Sequence, residues 1–138
     1  MKRLRHFSAS PYESQFGYCR AIRTGRSIRV AGTAPIGPKG STAAPGDAFG
    51  QAWRCLQIIE EAVEALGGRM EHVVRTRIYL TRREDWSVVA RAHGQIFGEI
   101  QPVATLVVVA GLLDPDWLVE IEAEAELPED ADASEVSA

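Results

Sequence analysis

Three carboxylates recur at alternate positions near the end of the chain, in Val119-Glu120-Ile121-Glu122-Ala123-Glu124. Side chains two apart in a strand share a face, so these acids stand in a row on one side while Val119, Ile121 and Ala123 occupy the other. Carboxylates in a row repel and lose hydration, so the arrangement persists where it is wet, paired with bases or built into a site, and a carboxyl in a site does general acid/base work. Arg77 shares a strand face with Arg75 and Tyr79 in Val73–Leu80, and reads either as an ion-pair partner for those acids or as an anion anchor. His93 titrates near neutral pH but lies off the apolar stripe of its helix, which makes it a surface histidine. His6 and His72 have no ligand spacing with it, so neither a metal nor a cofactor is implied. Cys19 and Cys55 occupy apolar-patterned positions with no adjacent His and read as buried hydrophobes rather than nucleophiles.

The elements that must position these residues follow from periodicity and breakers. Met1 to Phe16 is polar and irregular and is expected to be an extended arm. Tyr18–Ile22 and Ser27–Gly32 read as strands joined by a turn at Thr24-Gly25-Arg26. Three prolines and three glycines between Thr33 and Gly46 make a loop. Asp47 is a candidate N-cap for a helix with Ala52, Cys55, Leu56, Ile59 and Val63 on one face, stopped by Gly67-Gly68. Val73–Leu80 is a strand, Asp85 caps a second helix striped with Val88, Val89, Ala92, Ile96 and Phe97, and Pro102 opens two closing strands. Strands alternating with helices put both helices on one sheet face. The other face, expected to carry Val and Leu, would be a bare apolar surface and so an interface between copies.

A chain of 138 residues with ordinary apolar and charged fractions is expected to hold one domain, over residues 17–127. The net charge of −4 is concentrated in an acidic end, residues 128–138, expected to be disordered. The remaining body is near neutral and sets up no general field for nucleic acid, despite local clusters such as Arg20, Arg23, Arg26 and Arg29. No window approaches the roughly 18 apolar residues of a membrane span. Two cysteines without metal spacing, and no signal-peptide apolar region, suit a cytoplasmic setting. Phosphate-loop and dinucleotide fingerprints are absent.

Taken in order, Gly17-Tyr18, Ile28-Arg29-Val30-Ala31-Gly32-Thr33-Ala34-Pro35, Ala65-Leu66-Gly67-Gly68, Val74-Arg75-Thr76-Arg77-Ile78-Tyr79-Leu80 and Val119-Glu120-Ile121-Glu122-Ala123 resemble the YjgF/Rid family, small proteins that hydrolyse reactive enamines and imines. The resemblance runs from about Phe16 to Leu127. It implies an α+β, chorismate-mutase-like fold, a mixed sheet with two helices on one face, assembled as a homotrimer around a central barrel with small-molecule clefts between subunits. It also implies that Glu120 is the catalytic acid/base, with Tyr18 and the Gly32-Thr33 backbone around the ligand. The family's carboxylate-binding arginine falls at Ala104, beside Thr105 and Leu106. Charge-assisted bonds from such an arginine contribute about 1.5–3 kcal/mol each, so a less acidic or bulkier imine is expected, with Leu106 favouring apolar groups and Arg77 a relocated anchor. The expected function is an ammonia-releasing imine/enamine hydrolase of altered substrate. The alternative is a non-catalytic small-molecule-binding trimer; an endoribonuclease-like activity, sometimes attached to this family, is weaker for want of a His pair.

Overall fold

The computed structural model describes residues 2–129; of the expected acidic tail, residues 130–138 lie outside that range. The chain runs β1 (Arg3–His6), α1 (Pro11–Phe16), β2 (Ala21–Thr24), β3 (Ser27–Thr33), α2 (Ala48–Ala65), β4 (Val73–Leu80), α3 (Trp86–Phe97), β5 (Val103–Val108) and β6 (Val119–Glu126). Among the described residues six strands form one sheet in the order β1-β2-β3-β6-β4-β5. Every pairing is antiparallel except β4 with β5. That parallel pair needs a crossover, which α3 supplies.

Helices α2 and α3 cover one face, as the alternation of elements predicts. Ile28, Val30, Ile78, Leu80, Val119 and Ile121 from the sheet meet Cys55, Leu56, Ile59 and Val63 of α2 and Val89 and Ala92 of α3 in one buried core. Asp47 caps α2, accepting the Gly50 amide at 3.0 Å. Asp85 does not cap α3 in that way: the Arg82 guanidinium takes its carboxylate with two bonds of 2.9 and 3.1 Å. Among the described residues no helix is long and apolar enough to cross a membrane.

The first sixteen residues differ from the extended arm expected of them. Arg3 to His6 pairs with Thr24 to Ala21 as an edge strand, and Ser10 and Pro11 start a helical turn that Gly17 ends at φ 80°. Only a residue free of a Cβ enters that left-handed conformation without cost. The turn explains why β2 begins at Ala21 rather than Tyr18. A four-residue strand carries too little periodicity to be read, and its order comes from pairing and from one buried ion pair described below.

Glu120, Glu122 and Glu124 do face away from the helices, but the middle of the open face is ionic rather than apolar. Arg75 sits 3.7 Å from Glu124, Arg77 lies 3.6 Å from both Glu122 and Glu124, and the Tyr79 hydroxyl donates to Glu122. Ile78, Leu80, Val119 and Ile121 alternate with these charges and point into the core, while Val103 and Val107 of β5, in register with Arg75 and Tyr79, share the open face. Large exposed apolar side chains gather on the edge strand β5, at Val103, Val107 and Val108. His93 is likewise not a surface residue: it is half-buried, its Nε2 2.8 Å from the Thr76 hydroxyl and its ring 4.6 Å from that of Phe97. Burial lowers its pKa.

Candidate active site

Where β3 leaves β6, the chain encloses a cavity of about 260 Å³ whose walls come from β6, the end of β3, α2 and the His6–Tyr12 segment. Glu120 enters it from β6, half-buried. Burial pushes its carboxyl pKa above the usual carboxylate range and neighbouring Glu122 adds to the rise, while Arg20 pulls the other way. Among the described residues its carboxylate accepts no hydrogen bond, so it is free to serve a ligand or water. The strand register shifts between Val30 and Thr33, bringing the Gly32 backbone so close that a Cβ there would overlap Glu120 Oε1. The absence of a side chain at position 32 serves close approach rather than a turn: a Cβ there would have to displace the carboxylate.

Arg20 organises the wall beside Glu120. It is 3% exposed, and its Nε lies 3.0 Å from Glu13 Oε2. Its Nη1 donates to the Gly32 carbonyl at 2.6 Å and to the Thr33 hydroxyl at 3.2 Å, and its Nη2 to the Tyr18 hydroxyl at 3.2 Å. Burial alone would raise the Glu13 carboxyl; the Ser8 hydroxyl and amide, with the Arg20 guanidinium, outweigh it and hold Glu13 below its ordinary value. Because the Tyr18 oxygen accepts from Arg20, its own O–H remains to donate. The sequence pattern grouped Arg20 with three other arginines and missed this role. The available signal was Glu13 and Arg20 standing on either side of Gly17, where a tight turn folds one back on the other.

The structure thus gathers four of the expected site residues, Tyr18, Gly32, Thr33 and Glu120, around one cavity. Arg77, Ala104, Thr105 and Leu106 are not among its lining residues. Arg77 is occupied by Glu122 and Glu124, so it is no relocated anchor within this chain. Ala104, Thr105 and Leu106 lie on β5, paired with Thr76, Arg77 and Ile78, one strand beyond the neighbour of Glu120. The far wall comes from Arg54, Ile58 and Glu61, one turn apart on α2, which the sequence pattern did not single out as site residues, and from Trp117, which its place in the loop before the Glu120 strand made a candidate cap for the cleft and which packs edge-on against Tyr12 at 5.6 Å. Cys55 is fully buried, and burial pushes its thiol far above the range of a nucleophile. Among the described residues no group of three His, Cys, Asp or Glu side chains is placed to hold a metal.

A mixed six-stranded sheet backed by two helices is an architecture this chain shares with solved structures. A family model described as Endoribonuclease L-PSP matches residues 8–127. The uncharacterized protein SCO2049 of Streptomyces coelicolor is 39% identical over 119 residues, which cover 86% of this chain and 87% of that protein. The crystal structure of Rv2704 from Mycobacterium tuberculosis, a member of the YjgF/YER057c/UK114 family, matches with a TM-score of 0.83 at 40% identity, covering 91% of this chain and all of the other. The YjgF gene product of E. coli gives a TM-score of 0.74 at 28% identity, over 88% of this chain and 92% of its own. The chain belongs to the YjgF/YER057c/UK114, or endoribonuclease L-PSP, family.

Proposed function

We propose that this protein is a homotrimeric hydrolase that converts reactive imines, and enamines through their imine tautomers, to a carbonyl compound and ammonia, with Glu120 as general acid/base. One observation carries the reading: a carboxyl with a raised pKa and no protein hydrogen bond lies in a cavity beside a tyrosine hydroxyl that is free to donate. A raised pKa makes a carboxyl a better proton carrier than an ordinary one. As the oxygen of water bonds to the C=N carbon, Glu120 takes the water's proton and passes it to the nitrogen, giving a carbinolamine. The C–N bond then breaks, the hydroxyl proton moves to the departing nitrogen through Glu120, and a C=O bond and ammonia result. Tyr18 and the Gly32-Thr33 backbone, held by Arg20, position the substrate. Two unpaired cysteines suit a reducing, cytoplasmic setting.

The test measures ammonia and carbonyl product from freshly generated 2-iminopropionate and from a bulkier imine. Glu120→Gln is expected to lower kcat by about 10²–10⁴-fold, the usual worth of a general acid/base, with an unchanged melting temperature. Equal turnover by wild type and Glu120→Gln sinks the proposal. Ala104 supports a second reading, a trimer that binds a small molecule without turning it over. Activity absent in wild type and present in Ala104→Arg selects that reading. An endoribonuclease would be short of a histidine pair, since His6 is the one histidine lining this cavity.

A further inference from the structure

We propose that Arg54 is the anion anchor of this cavity, and that the site therefore takes substrates whose carboxylate lies several bonds from the C=N carbon, with an apolar body between. The part concerning C=N rests on the hydrolase reading above; the anchoring of a carboxylate does not.

Three arginines bear on the choice. Arg77 is spent on two glutamates outside the cavity. Arg20 reaches the cavity, but its charge is matched by Glu13 and four of its five N–H groups are engaged. Arg54 differs from both. Its Nε donates to the Ile36 carbonyl at 2.8 Å, which fixes the plane of the guanidinium. Among the described residues it forms no salt bridge, and both terminal amino groups are without acceptors. A half-buried, pre-oriented fork with four free N–H groups is the arrangement that binds a carboxylate through two parallel bonds. Glu61 shares its helix face but stands seven residues on, about 10 Å along the axis, and makes no ion pair with it among the described residues.

Position sets the shape of the ligand. Glu120 abuts Gly32 and Arg54 abuts Ile36. Those two points are four positions apart in the chain, and the two groups enter the cavity from different walls, Glu120 from β6 and Arg54 from α2, so the proposed ligand reaches from one wall to the other. Ala34, Ile58 and Trp117 supply apolar lining for the body of such a ligand. An arginine at position 104 would suit a carboxylate bonded directly to the reacting carbon; an arginine on α2 suits one held at a distance.

Calorimetric titration of the full chain tests this with a stable ketone, 5-oxo-5-phenylpentanoate, and its neutral carboxamide. Wild type is expected to bind the acid at least tenfold more tightly than the amide. Arg54→Gln should abolish that preference while leaving amide affinity unchanged, and Glu120→Gln should retain it. The comparison of acid with amide in wild type needs no variant to fold. Equal affinity for the two, no saturable binding of the acid, or an acid preference that survives in Arg54→Gln overturns the proposal. An Arg54-dependent preference with no turnover of the corresponding imine upholds it and sinks the hydrolase reading instead.

Discussion

Glu120 and Gly32 act as a pair, because the Glu120 carboxylate occupies the space that a Cβ at position 32 would take. Gly32→Ala is expected to swing the Glu120 carboxylate aside. The atom displaced is the far end of a flexible side chain, so stability should change by less than about 1 kcal/mol, while turnover falls at least tenfold. Paired thermal melts and ammonia-release assays check this, and a variant with full activity counts against the placement of Glu120. His93 gives a separate prediction. Its folded pKa is depressed by burial, so the unfolded chain binds a proton more readily. Its contribution to stability is complete above the ordinary histidine value of about 6.5 and is lost as pH falls below it toward the folded value. Thermal melts from pH 7.5 to 5 should show that loss in wild type and less of it in His93→Gln, whose amide can still meet Thr76. Strand alternation made Glu120 legible in the sequence. It could not reveal His93, whose burial depends on how α3 settles against β4.

At the scale of elements, the legible ones were those with long periodic patterns. Eighteen residues of α2, with a cap at one end and Gly67-Gly68 at the other, left little freedom, and the eight-residue alternation of β4 and β6 fixed their faces. The missed elements, β1 and α1, are four and six residues long, and the second is held by tertiary contacts. Glu13 and Arg20 are 3% and 4% exposed by side chain, and the bond between them ties α1 to the Gly32-Thr33 segment. Removing one partner from a buried pair strands the other charge, which costs about 3–5 kcal/mol. Glu13→Gln is therefore expected to destabilise by that order in urea unfolding and to loosen the cavity wall. The sign with pH follows from the depressed Glu13 pKa: its contribution is present above the ordinary carboxyl value of about 4.3 and is lost as pH falls below it. The difference between wild type and Glu13→Gln should accordingly shrink on acidification. A constant difference would mean the ion pair is not what holds α1.

At the scale of the molecule, the question is what covers β5. It pairs with β4 along one side only, its Val103, Val107 and Val108 are exposed, and Ala104 and Thr105 are exposed between them. An edge strand with an apolar surface invites pairing with another chain, and natural proteins blunt such edges with charge, proline or a covering element. Apart from Pro102 just before it, none of these devices is on this strand. The sequence pattern led to an interface on the open sheet face: salt-linked glutamates and arginines fill the middle of that face, and its exposed valines are Val103 and Val107 at the β5 edge. The proposed homotrimer would resolve the exposure if it buries β5 against a neighbour, and would then give Ala104, Thr105 and Leu106 a place they lack in one chain. Val107→Glu puts a charge into that contact, and light scattering after gel filtration should report one chain where wild type reports three. If the cleft is shared between subunits, turnover is lost with the trimer and returns when high protein concentration restores assembly. If the monomeric variant keeps wild-type turnover, the Glu120 cavity is complete in a single chain and position 104 has no part in it. If Val107→Glu leaves the three-chain mass unchanged, β5 is not the surface that holds the subunits together.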